Sequence, residues 1–260
     1  MTTERVRGRA TRILVINPNS SQAMTNGIKK VIDEVDLPYS VEVFAYTAPP
    51  NAPLSINDDE GIRASFTAVS SHFTDSDNYD GILVACFSVH PLVSALQSSL
   101  SLGSTVVTGV FEAGVVAALS LISPGCKWGI VTTGAFWEEH LTAGVQRFLG
   151  ISVTSEANTK FAGVESTGLN ASDFHDGVDH AVVEDKLRQA TRRLLSRSDV
   201  TCIVMGCAGM AGLEDIIRGA ASEVRGQHFA YNQLYIVDGV RAGIMQLENA
   251  IKQQRLLRSR

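Results

Sequence analysis

The 260-residue chain contains no C-x-x-C pair, no apolar run approaching 18 residues and no basic stripe, and each absence removes a class of function. Without a bilayer-length run, no membrane span is expected. Its four cysteines, Cys86, Cys126, Cys202 and Cys207, lack paired metal-ligand spacing, and the six histidines are scattered, so no metal is expected. A net charge of -5 and a pI near 5.7 make nucleic acid and anionic membrane surfaces unexpected partners. Residues 1–12 are polar and basic with no apolar h-region, so they do not read as a secretory signal. A cytoplasmic location follows as the expectation, and there the cysteines stay thiols. Missing too are G-x-G-x-x-G after a strand, a phosphate loop, a G-x-S-x-G elbow and H-E-x-x-H, which removes support for nucleotide and metal chemistry.

What is present is an alternation. Hydrophobic residues at 45% and charged residues at 19% suit a globular protein with a sizeable core. Short apolar runs are followed by helix-like stretches: Ile13–Ile16 then 23–35, Val41–Tyr46 then 59–73, Ile82–Ala85 then 92–100. The pattern resumes with 105–109 then 112–121, 128–132 then 136–149, 152–157 then 184–196, and Cys202–Met205. This predicts β-α-β units, parallel sheets and an α/β fold. A faint duplication overlies it: a polar strand end at Asn17 and one at Thr133 each precede a cysteine strand end by roughly seventy residues. Parallel strands bring their carboxyl ends to one edge, where open α/β sheets bind ligands. Residues 46–55 hold three of the seven prolines and predict a stiff loop on that same edge, equally a plain surface connection or a wall of the site.

Cys86 and Cys207 stand out because each sits where a strand-like run breaks into small residues, Ala85-Cys86-Phe-Ser-Val-His-Pro91 and Met205-Gly-Cys207-Ala-Gly-Met-Ala-Gly212. A thiol at a strand end that opens a helix meets backbone N–H groups, which would lower its pKa toward neutrality. Phe87, Ser88, Ala208 and Gly209 flank the two sulfurs and are candidate ligand contacts. Cys126, in a turn, and Cys202, inside a strand, read as structural. Asn17 can hold a carbonyl or amide of a small ligand, and Thr132 and Thr133 offer hydroxyl and amide donors; strand end plus helix cap, with Ser20 or Ser21 capping, explains the same residues. Glu112 fits the first turn of a helix, with or without a substrate contact. His90 either tunes Cys86 or caps a turn, and Asp238 caps the last helix.

These segments resemble the aspartate/glutamate racemase superfamily, and within it the hydantoin racemase family that includes allantoin racemases. The resemblance is carried by Ile16-Asn-Pro-Asn-Ser-Ser21, Ala85-Cys86-Phe87, Gly109-Val-Phe-Glu-Ala113, Gly129-Ile-Val-Thr-Thr133 and, most specifically, Met205-Gly-Cys-Ala-Gly-Met-Ala-Gly-Leu213. It implies two pseudo-symmetric α/β lobes, each a parallel sheet flanked by helices, with the active site in the cleft between them. One cysteine comes from each lobe, no cofactor is used, and the chain forms a homo-oligomer. The last forty or so residues would return to the first lobe, giving residues 1–107 plus 218–260 with Cys86 and residues 108–217 with Cys207. Where bacterial hydantoin racemases continue with Gly-Asp-Pro-Gly after the first cysteine, this chain has Ser88-Val-His-Pro-Leu92, similar to fungal members thought to act in allantoin metabolism.

The expected activity is therefore inversion of the C5 stereocentre of a hydantoin-type cyclic ureide, allantoin or a 5-substituted hydantoin, by proton transfer between two cysteines. Backbone N–H groups near Ser88, Thr133 and Gly209 would receive the enolate charge. No arginine lies near the cysteines to hold a free carboxylate, which favours a neutral ring over an amino acid. The alternatives are another enzyme on the same scaffold (amino-acid racemase, decarboxylase or cis-trans isomerase), a non-catalytic two-lobed binder, and a thiol redox protein.

Overall fold

The computed structural model describes residues 10–38, 40–72, 78–99, 105–151, 160–174 and 177–258. Among the described residues eight strands form two four-stranded sheets, every pair parallel. The first sheet has the order β2 (Val41–Thr47), β1 (Thr11–Asn17), β3 (Gly81–Val84), β4 (Val106–Gly109). The second repeats it as β6 (Phe161–Ser166), β5 (Lys127–Thr132), β7 (Val200–Met205), β8 (Tyr235–Asp238). The duplication is thus a repeated strand order, with β1 answering to β5 and β3 to β7. The inner strands are buried on both faces and therefore read as unbroken apolar runs. The expected run 152–157 lies outside the described residues.

Helices α1 (Gln22–Asp33), α2 (Asp59–His72) and α3 (Pro91–Ser99) follow the strands of the first sheet; α5 (Phe136–Phe148), α6 (His180–Leu195) and α7 (Glu214–Asn232) follow those of the second. The Ser21 hydroxyl caps α1 by accepting from the Met24 N–H at 3.2 Å, and Pro91 opens α3, where a missing N–H costs nothing. The two remaining helices cross over. α4 (Val110–Leu121) leaves β4 of the first sheet but lies on β7 and β8 of the second, whereas α8 (Gly239–Arg258) leaves β8 and lies on β3 and β4. They also pack on each other, so Phe87, Phe111, Val115, Trp128, Val204 and Leu247 join one continuous core.

The divisions expected at 107/108 and 217/218 run through β4 and α7. By hydrogen bonding β8 belongs with β7, and α7 lies along α6; the segment that returns to the first lobe is α8. No helix among the described residues is long and apolar enough to cross a membrane.

Candidate active site

The carboxyl ends of β1, β3, β5 and β7 converge on a narrow cavity of about 30 Å³ between the lobes. It brings together Asn17, Cys86, Phe87, Thr133, Cys207, Ala208 and Gly209 from the residues singled out above. Ser88 and Thr132 stand one step behind it, supporting lining residues rather than facing the space.

Each strand end is shaped by its own bonds. After β1, the Asn17 side-chain amide donates to Asn19 Oδ1 (3.0 Å), the Ser21 carbonyl (3.1 Å) and Thr25 Oγ1 (2.9 Å), and its Oδ1 accepts from the Asn19 N–H (3.3 Å). Asn17 therefore reaches the cavity with its polar atoms already engaged in the turn. After β5, Thr132 Oγ1 donates to the Gly206 carbonyl at 2.8 Å and ties the ends of β5 and β7. That approach needs glycine: a Cβ at Gly206 would stand 2.6 Å from Ile130 Cγ2 and 2.9 Å from Thr132 Cβ. No residue of the proline-rich stretch 46–55 lines the cavity; Ile56, just beyond it, does, and the neighbouring Asn57 Oδ1 accepts the Ala171 N–H at 3.3 Å from the opposite lobe.

The two cysteines are held differently. Cys207 caps a single 3-10 turn (Ala208–Met210), its sulfur accepting the Gly209 N–H at 3.3 Å. Cys86 sits in a loop, 3.1 Å from Ser88 Oγ, and that loop passes through Val89 at φ 50°, a left-handed conformation that is strained for a β-branched residue. The loop is braced from the second lobe by His140 of α5, whose Nε2–H donates to the Ser88 carbonyl at 2.8 Å.

Neither thiol has the lowered pKa expected from its position. Burial pushes Cys86 up to about 12, against the opposing Ser88 hydrogen bond and with a further push from Cys207. Burial likewise pushes Cys207 up to about 11, offset in part by the N–H groups of Gly209 and Met210. The reason is local: α3 and α7 begin only at Pro91 and Glu214, so neither sulfur meets the N-terminus of a long helix, and desolvation dominates. His90 makes no hydrogen bond to Cys86. Its buried ring, held neutral with its pKa pulled down to about 4 by burial, accepts the Leu92 N–H at Nδ1 (3.2 Å) and faces Ser65 Oγ through Nε2 (3.2 Å).

Glu112 also lies away from the cavity, in the first turn of α4, where the Gly109 N–H bonds its carboxylate and burial raises its pKa. Asp238 caps α8 through the Arg241 N–H at 2.8 Å. Trp137, Ile56, Met24 and Ala171 line the cavity without having been singled out; being apolar and distant in sequence, they carried no signal of a site. Asn19 was within reach, two residues beyond Asn17 in the same motif. Among the described residues no group of three or more His, Cys, Asp or Glu is placed to hold a metal ion.

Comparison with known proteins places this architecture. Residues 13–247 match the Asp/Glu/hydantoin racemase family model. A Schizosaccharomyces pombe protein designated C1F7.10 is 32% identical over 93% of this chain and 92% of its own. A hydantoin racemase of Paenarthrobacter aurescens is 27% identical over 77% and 79% of the two chains. In structure, the allantoin racemase from Klebsiella pneumoniae superposes with a TM-score of 0.73 over 94% of this chain and 89% of that one, at 24% identity, a likeness of fold. The family model spans both sheets and both cysteine-bearing strand ends, and the chain is a member of the Asp/Glu/hydantoin racemase family of enzymes.

Proposed function

We propose that the protein is a cofactor-independent racemase that inverts the C5 stereocentre of a hydantoin-type cyclic ureide, allantoin or a 5-substituted hydantoin, using Cys86 and Cys207 as a pair of acid/base groups. One observation carries this reading: the two cysteines line the same cavity from opposite lobes.

In the proposed step, one thiolate takes the C5 hydrogen as a proton, its S–H bond forming as the C–H bond breaks. The electron pair delocalises into the adjacent ring carbonyl as an enolate. The opposing thiol then gives its proton to the other face, and the two sulfurs finish with their protonation states exchanged. Such a cycle needs one sulfur ionised and one not. Burial and mutual repulsion both disfavour a second charge, so the arrangement suits single ionisation.

A neutral ring is supported by the lining itself, which contains asparagine, threonine, cysteine and apolar side chains and, among the described residues, no charged one. A free amino acid would bring a carboxylate that calls for a cationic partner. The test is to incubate enantiopure allantoin and enantiopure 5-benzylhydantoin separately with the enzyme in heavy water. Loss of optical rotation with deuterium entering at C5 is expected for at least one; stable rotation and no deuterium in both overturns the reading.

A further inference from the structure

Forming the enolate places negative charge on a ring carbonyl, and a hydrogen-bond donor must meet it there. Two of the backbone groups expected to do so are engaged elsewhere: the Ser88 N–H donates to the Cys86 carbonyl at 3.0 Å, and the Gly209 N–H donates to the Cys207 sulfur at 3.3 Å. Asn19 is in a different state. It lines the cavity while only 7% exposed. Its Oδ1 accepts from the Ser21 N–H (2.9 Å) and from Asn17 Nδ2 (3.0 Å), which fixes which end of the amide is nitrogen.

The Asn19 Nδ2 group carries two hydrogens, and its partner is the Met24 thioether at 3.0 Å, a weak acceptor. The contrast with Asn17, whose Nδ2 reaches three oxygen acceptors, is direct. A buried amide donor without an oxygen partner costs free energy that a bound carbonyl would return. The turn carrying it is also anchored. His90 Nε2 faces Ser65 Oγ at 3.2 Å, and Ser65 Oγ donates to the Pro18 carbonyl at 2.5 Å, so the Asn19 turn is tied to the loop that follows Cys86.

We propose that Asn19 Nδ2 is the side-chain donor that binds the ring carbonyl next to the inverted carbon and receives the enolate's developing charge. The assignment rests on the racemase reading above, and makes Asn19 a catalytic residue, with His90 and Ser65 as positioning residues behind it.

Asn19→Asp tests the claim: the new carboxylate still accepts from Ser21 and Asn17, while the donor is lost and a negative charge is added beside the developing enolate. At neutral pH kcat should fall by about 10²–10³-fold, the usual effect of removing one such donor, with KM moving far less and thermal stability retained. As pH falls through the carboxyl range the protonated side chain regains a donor, so the ratio of variant to native kcat should rise. An unchanged kcat, a loss confined to KM, or a ratio flat in pH overturns the assignment. If the variant does not fold, the unaltered enzyme decides: the Asn19 side-chain amide proton should move downfield on saturation with unsubstituted hydantoin, and an unmoved resonance overturns it. Native enzyme inactive on every cyclic ureide sinks the racemase reading and this one together, whereas active native enzyme with an unaffected variant sinks this one alone.

Discussion

Cys207 and Cys86 occupy matching strand ends, yet the first is set by its own lobe and the second by both. Cys207 is gripped by backbone N–H groups of the turn it caps, within a lobe whose β5 and β7 ends are locked by Thr132 and Gly206. Cys86 relies on a hydroxyl two residues away and on a strained loop that α5 of the other lobe supports. Burial raises both thiols, and it is opposed at Cys207 by the Gly209 and Met210 N–H groups and at Cys86 by the Ser88 hydroxyl.

The severest way to break this pairing is to remove one sulfur. Cys86→Ser and Cys207→Ser should each lower racemisation followed by polarimetry by about 10²–10⁴-fold, the range for a general acid or base. Near-native inversion by either variant would end the two-base scheme. Next comes pH. Because burial raises both thiols well above neutrality, kcat/KM should climb from neutral pH upward; a plateau near pH 7 would mean that a thiolate is already formed in the free enzyme.

Two glycine substitutions sharpen the contrast between the lobes. At Gly144 a Cβ would stand 2.6 Å from Val89 Cγ2, pressing α5 on the Cys86 loop, while at Gly206 it would press on Ile130 and Thr132 within the Cys207 lobe. Each change to alanine should cost about 1–3 kcal/mol by overpacking, read from urea unfolding. Gly144→Ala should in addition slow alkylation of Cys86 relative to Cys207, and equal effects on both sulfurs would remove the idea that the second lobe supports Cys86. The smallest effect is expected for Ser88→Ala. Losing one hydrogen bond of about 0.5–1.5 kcal/mol should change kcat by roughly tenfold or less and leave Cys207 reactivity unmoved.

The inner strands were legible because burial on both faces writes itself as an unbroken apolar run. β6 was not. It is a half-buried edge strand, Phe161–Ser166, interrupted by Gly163, and neither alternation nor a run marks it. At the site, the abrupt change from apolar to small residues made Cys86 and Cys207 visible. The division of labour between Asn17 and Asn19 was not visible, since both belong to one turn and only an account of who bonds whom separates them. The thiol pKa values were hidden for a related reason: neighbours in sequence supply N–H groups, but desolvation comes from Trp137, Ile56 and other walls far along the chain.

The exchange of α4 and α8 has a mechanical consequence. Each half of the chain lends the other the helix that covers its sheet, so a cut between the halves would leave two apolar faces bare, and neither piece should stand as a monomer. The crossed pair lies in the shared core with Phe87 and Val204, so the two lobes are joined by packed apolar side chains.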